Sequence, residues 1–171
     1  SHCIFLVGMM GSGKTTLGRR LARECKMEFV DLDREIERRT GVSVSTIFEI
    51  EGEAGFRLRE AQLLAEIGSQ GSGIVATGGG IVLSPLNRAR LMASDRVIYL
   101  RASPHLLYTR TRNDRSRPLL QVADPLARIA GLTQQRDPLY REVADIIIEA
   151  GRDTGAVVDQ IKAEIIAPCR H

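Results

Sequence analysis

A chain of 171 residues, 43% hydrophobic and 26% charged, has the size and composition of one globular domain. That excludes wholesale disorder, a collagen-like fibre and a disulfide-stapled miniprotein, and no apolar run approaches the roughly 20 residues needed to cross a bilayer. The net charge of +3 is too small to indicate nucleic acid by itself, and 4% aromatic residues with no Trp argue against a base-stacking platform.

In chain order, Ser1-His2 reads as the remnant of a tag. Cys3–Val7 is a short apolar run ended by Gly8, which predicts a buried parallel strand; it is too short for a signal peptide and lacks a basic flank. A helix follows from Gly13, with Leu17, Leu21 and Ala22 on one face and Arg19, Arg20 and Arg23 on the other. Glu28–Val30 is the second strand, leading into Asp31-Leu32-Asp33, and a polar helix runs from Arg34 to Arg39 and stops at Gly41. Two helical stretches follow, Ser45–Glu51 and Glu53–Ile67. The third strand runs through Gly73–Thr77 into Gly78-Gly79-Gly80, and Pro85 opens a helix. Arg96–Leu100 is the fourth strand, and a helix runs from Pro104 toward Arg110. Between Arg112 and Asp124 the periodicity breaks down, which predicts a mobile loop. A helix over Pro125–Glu142, a fifth strand over Asp145–Ile148 and a closing helix over Gly155–Ile166 complete the chain. Apolar strands alternating with helices predict a doubly wound α/β domain on a parallel sheet.

The segment Gly8-Met9-Met10-Gly11-Ser12-Gly13-Lys14-Thr15 satisfies G-x-x-x-x-G-K-[ST], between a buried strand and an amphipathic helix. Its glycines let backbone N–H groups curl around a polyphosphate, and the helix adds the positive end of its dipole. Lys14 would reach the β- and γ-phosphates and the Thr15 hydroxyl would ligate Mg²⁺. The third strand ends in Thr77 without a Walker-B carboxylate. The available acids are Asp31 and Asp33, two residues apart in what reads as extended chain, hence pointing the same way. One could hold Mg²⁺ through water and the other take a proton from a substrate hydroxyl; alternatively the pair caps the next helix.

Of 24 basic residues only Lys14, Lys26 and Lys162 are lysines, and arginine's planar fork suits phosphate and carboxylate, which points to an anionic small-molecule substrate. Arg110, Arg112, Arg115 and Arg117 cluster beside Pro118-Leu119-Leu120 and read as part of a lid over the triphosphate, with Arg117 the contact to the transferring group and Arg112 and Arg115 solvated. Gly78-Gly79-Gly80 is either a tight turn or a bare backbone against which a substrate lies. Arg57 and Arg136, each beside apolar neighbours, want an anion or an acidic partner. Cys3, Cys25 and Cys169 share no metal-ligand spacing, and free thiols imply a reducing cytoplasm.

Taken together, GMMGSGKTTLGRRLA at 8–22, DLD at 31–33, FR at 56–57, ATGGG at 76–80, RTRNDRSRPLL at 110–120 and RDPLY at 136–140 resemble the shikimate kinases, of the nucleoside-monophosphate-kinase-like P-loop group. The resemblance implies a P-loop NTPase fold with a five-stranded parallel sheet, a helical substrate-binding insert near 33–60 and a lid near 112–124. It implies transfer of the ATP γ-phosphate to the 3-hydroxyl of shikimate, on the way to chorismate, by a cytoplasmic monomer using Mg²⁺. By position, Lys14, Asp33 and Arg117 would be catalytic, Asp33 being the base. Gly11, Ser12, Gly13, Lys14, Thr15, Thr16, Arg110, Arg117 and Arg152 would bind ATP, with Arg110 stacking on adenine. Arg57 and Arg136 would clamp the substrate carboxylate, and Gly78, Gly79 and Gly80 would approach it by backbone. Thr15 and Asp31 would lie at the metal. The competing readings are a kinase of the same fold for another polyol acid such as gluconate, a ligand-sensing module of a regulator, and nucleic-acid binding.

Overall fold

The computed structural model describes residues 2–166. The chain alternates as expected: β1 His2–Val7, α1 Lys14–Cys25, β2 Phe29–Asp31, α2 Leu32–Thr40, α3 Val44–Gln70, β3 Ser72–Ala76, α4 Pro85–Met92, β4 Arg96–Arg101, α5 Pro104–Thr111, α6 Pro125–Val143, β5 Ile146–Glu149 and α7 Thr154–Ile166. The strands form one sheet in the order β2-β3-β1-β4-β5, every neighbouring pair parallel. In register, Phe5 of β1 lies between Val75 of β3 and Val97 of β4.

Strand alternation divides the core into two layers. Phe5, Val7, Val75, Val97 and Tyr99 face Leu63 and Leu64 of α3, Leu91 of α4, Leu107 of α5 and Ile129 and Tyr140 of α6. Ile4, Leu6, Ile74, Ile98 and Leu100 face Leu17 and Leu21 of α1 and Val157, Val158 and Ile161 of α7. Both faces of the central strands are thus covered, which is why β1 and the middle of β3 and β4 are apolar.

Local signals set the helix ends. Proline opens α4, α5 and α6, and the Ser84, Ser103 and Asp124 side chains before them accept from the N–H groups of Asn87, Leu106 and Ala127. The two helices expected on either side of residue 52 join end to end as α3, with the break where expected, at Gly52 (φ 74°, ψ 177°). The loop expected over 112–124 contains a short 3₁₀ turn at Pro118–Leu120, and the Asp114 carboxylate anchors the turn before it by accepting from the N–H and hydroxyl of Ser116. One local reading is corrected. β2 ends at Asp31 and α2 begins at Leu32, so the extended chain stops at Asp31 and the capping alternative holds: Asp31 is the N-cap, accepting from Arg34 N–H at 3.2 Å, and Asp33 lies in the first helical turn. An acid at the N-cap and another in the first turn both favour starting the helix there.

Among the described residues no helix is long and apolar enough to cross a membrane. Neither Cys3 nor Cys25 forms a disulfide, and Cys169 lies outside the described residues.

Candidate active site

The loops that follow β1, β2 and β3 open at the same carboxyl edge of the sheet, where open α/β sheets bind ligands. There they border a cleft of about 700 Å³, completed by α3, α6, the segment 114–119 and residues 150–154.

At one end lies the phosphate loop. Gly8, Gly11 and Gly13 all have positive φ (148°, 80° and 101°), a path side chains would strain. α1 starts at Lys14 with no side-chain cap, so its first N–H groups and its dipole are left for an anion. The buried Lys14 ammonium donates to the Gly8 and Met9 carbonyls at 2.6 and 2.9 Å. Burial, then the charge of Arg117, pulls Lys14 down to about 7, with Asp33 and Asp31 acting against them. The Thr15 hydroxyl donates to the Asp31 carboxylate at 2.6 Å. Arg110 reaches across from α5 and donates to the Gly11 and Ser12 carbonyls at 3.2 and 2.9 Å, bracing the loop it lines. Ser12, Gly13 and Thr16 border the cleft beside it, and the Ser12 hydroxyl is buried without a hydrogen-bond partner.

The other end carries buried and half-buried guanidinium groups. Arg136 of α6 is only 2% exposed, and its Nε and Nη1 have no hydrogen-bond partner. Arg57 of α3 ion-pairs with Glu60 at 3.1 Å and Glu53 at 3.2 Å, with its Nε unpartnered. Arg57 therefore has acidic partners, whereas Arg136 has guanidinium nitrogens left over. Buried cations with unused donors are costly unless an anion completes them. Phe48 and Phe56, ring centres 5.1 Å apart, give this end an apolar wall.

Glu60 is the residue that sequence reasoning missed. It is fully buried, and burial raises its carboxyl to about 7 against the pull of Arg57. The signal was present: Phe56, Glu60, Leu63 and Leu64 fall at i, i+4, i+7 and i+8, the buried stripe of α3, so an acid occupies a core position.

The three glycines make room for charged side chains of α2, α3 and α6. A Cβ on Gly78 would meet Glu60 Oε2 at 2.8 Å and Asp33 Oδ1 at 3.0 Å, one on Gly79 would meet Arg136 Nη1 at 3.3 Å, and one on Gly80 would collide with the Arg57 guanidinium. Side chains are absent there so that four charged groups can converge on the backbone. Asp33 stands between the two ends of the cleft, half-buried, with Oδ1 unpartnered. Burial, then Asp31, raises its carboxyl above the ordinary range while Lys14, Arg117 and Arg57 oppose the shift.

Over the cleft, Arg117 is half-exposed and pairs with Asp114 at 3.2 Å, while Arg112 and Arg115 are exposed as expected. Arg152 borders the cleft and donates to the Gln160 side chain at 2.9 Å.

A parallel sheet carrying a phosphate loop beside a pocket of incompletely partnered arginines defines a P-loop kinase acting on a small anionic substrate. The model of the family described as shikimate kinase matches residues 10–166. The chain belongs to the shikimate kinase family. It is 58% identical over 163 residues to the shikimate kinase of Aromatoleum aromaticum, covering 95% of this chain and 93% of that protein. Shikimate kinase from Acinetobacter baumannii in complex with shikimate is similar in structure, with a TM-score of 0.93 at 44% identity over 96% of this chain and 93% of that one. A gluconokinase from Sinorhizobium meliloti shares the fold, with a TM-score of 0.58 at 14% identity over 96% of this chain and 91% of that one.

Proposed function

We propose that this chain transfers the γ-phosphoryl group of ATP to the 3-hydroxyl of shikimate, giving shikimate 3-phosphate and ADP. The observation that carries this reading is the buried Arg136 guanidinium, with two nitrogens unpartnered, in the same cleft as the phosphate loop. A carboxylate is the planar anion that such a fork accepts. Arg57 and the Gly79–Gly80 backbone take the same carboxylate from the other side.

The ring then lies between Asp33 and the phosphate loop. Asp33 accepts from the reacting hydroxyl and takes its proton as the oxygen attacks. Phosphoryl transfer asks for alignment and charge neutralisation more than covalent chemistry. Lys14 leaves its loop carbonyls for the β- and γ-oxygens, whose charge draws a proton onto it. Arg117 swings from Asp114 to the transferring group, and the segment 112–124 excludes water as it closes. Arg110 and Arg152 border the end of the cleft where the nucleoside would lie.

The Thr15 hydroxyl and Asp31 carboxylate, 2.6 Å apart at the phosphate end, form the hard oxygen set that suits Mg²⁺ held jointly with substrate phosphates. Bound there, Mg²⁺ would neutralise charge between the β- and γ-phosphates. In this reading residues 1–171 act as one domain and one monomer, with α2 and the first half of α3 as the substrate-binding insert. The protein works in the cytoplasm, and its arginines serve phosphate and carboxylate rather than nucleic acid or a membrane.

ADP release from Mg-ATP, measured with shikimate, with gluconate and with no acceptor, tests the reading. Turnover that depends on shikimate alone is expected. Release indifferent to any acceptor would leave a nucleotide-binding site and remove the substrate assignment.

A further inference from the structure

The Gly78–Gly80 segment has no side chains to hold it, yet its peptides border the acid end of the cleft. What holds it comes from α6. Arg136 and Tyr140 are one turn apart on the same face of that helix, and both reach Gly79. Arg136 lies against the Gly79 Cα, as its 3.3 Å approach to a would-be Cβ shows, and the Tyr140 hydroxyl donates to the Gly79 carbonyl. Tyr140 is fully buried, and burial raises its phenol above the ordinary range, so it remains a donor.

The ring that carries this hydroxyl is itself fixed. It packs against Tyr99 of β4 with centroids 4.9 Å apart. The Tyr99 hydroxyl donates in turn to Asp137 at 2.7 Å, and Asp137 pairs with Arg141 at 2.9 Å. Tyr140 therefore has one position, set by the sheet and by its own helix.

The Gly79–Gly80 peptide is trans and planar, so the Gly79 carbonyl and the Gly80 N–H point to opposite sides of the chain. Fixing the carbonyl on the Tyr140 side fixes the N–H on the other. We infer that Tyr140 is a positioning residue for the substrate carboxylate: by holding the Gly79 carbonyl it fixes the Gly79–Gly80 peptide plane, and with it the direction of the Gly80 N–H, at the end of the cleft where Arg136 lies. The inference rests on the acid-binding reading given under Proposed function, and it deepens that reading.

Tyr140→Phe keeps the ring and its packing while removing the hydroxyl, which meets the Arg136 guanidinium as well as the Gly79 carbonyl, so the Gly80 amide is the readout that separates the two contacts. The shikimate KM should rise about five- to tenfold, as fits one internal hydrogen bond lost with its acceptor left buried. The kcat and the ATP KM should stay within about twofold, because nothing at the phosphate end changes. In protein labelled with ¹⁵N-glycine, the Gly80 amide should shift and exchange faster with solvent. An unchanged shikimate KM, or a parallel rise of both KM values as in general loosening, overturns the assignment. If the unsubstituted protein shows no shikimate-dependent turnover, the function reading is what fails. The Gly80 amide then still decides whether Tyr140 aims this peptide: a shifted, faster-exchanging signal supports it and an unmoved one overturns it.

Discussion

The two ends of the cleft are built on different principles. The phosphate end comes almost whole from one contiguous stretch, residues 8–15, and apart from the Ser12 hydroxyl its polar side chains are partnered: Lys14 on two carbonyls of its own loop, Thr15 on Asp31. The acid end is assembled from α3, the segment after β3 and α6, and it leaves guanidinium nitrogens of Arg57 and Arg136 without partners. The difference teaches where affinity and rate should separate. A loop whose lysine and threonine are already partnered can exchange those bonds for phosphate oxygens at little net cost, so its groups act chiefly on the reaction. Buried, incompletely paired cations gain most from the anion itself, so they act chiefly on binding.

Substitutions can break that division. The largest effect is expected for Arg117→Ala: kcat falls on the order of 10²-fold or more, as for one charged donor removed from a transition state, and the shikimate KM stays within about threefold. Arg117 is half-exposed and its side chain pairs with Asp114 near the surface, so the variant should fold normally. An unchanged kcat would take Arg117 out of the mechanism. Next come the two clamp arginines, which should act in the opposite sense, on KM. Arg136→Ala removes the buried guanidinium with two unpartnered nitrogens and should raise the shikimate KM by about 30- to 100-fold. Arg57→Ala removes one already shared with Glu53 and Glu60 and should raise it by about tenfold. Equal losses, or a raised ATP KM with a normal shikimate KM, would contradict the division between the ends.

The same contrast explains what could be read in the sequence. The phosphate loop was legible because its chemistry needs consecutive residues. The helix starts were legible because Pro85, Pro104 and Pro125 each follow a capping side chain, and Gly52 marked the break in α3 because a glycine there interrupts an otherwise helical run. Asp31 and Asp33 were placed in the right neighbourhood but in the wrong conformation, since D-x-D fits a strand end and a helix cap equally well. The acid end was legible only as separate fragments, FR, GGG and RDPLY. Nothing local tells that Gly80 clears space for Arg57, or that Tyr140 reaches Gly79 across sixty-one residues of chain. Those pairings are set by the sheet order, which brings α6 and the segment after β3 together. The Asp114 turn within residues 112–124 was illegible for a simpler reason: it is made by short polar side chains without any periodic pattern.

Glu60 sharpens the comparison most finely, because it sets the geometry of the acid end against the stability of the fold. Its carboxyl stands at about 7 in the folded chain against 4.5 for an ordinary glutamate, with burial the leading cause. The stability this group contributes is therefore complete below pH 4.5 and is lost as the pH rises through 7, since ionising it means placing a charge in the core. Glu60→Gln removes that titration while keeping the shape. The variant should melt about 2–4 °C above the unsubstituted protein at pH 8, a gap on the order of 1 kcal/mol, and the gap should close toward pH 5. At pH 8 the shikimate KM should nevertheless rise several-fold, because Arg57 loses the anion that holds its guanidinium over Gly80. Thermal melts across that pH range, run beside shikimate titrations at pH 8, separate the two effects. A variant that melts lower at pH 8 would mean that the ion pair with Arg57 outweighs the cost of burying the charge, and that the acid end, like the phosphate end, is satisfied from within.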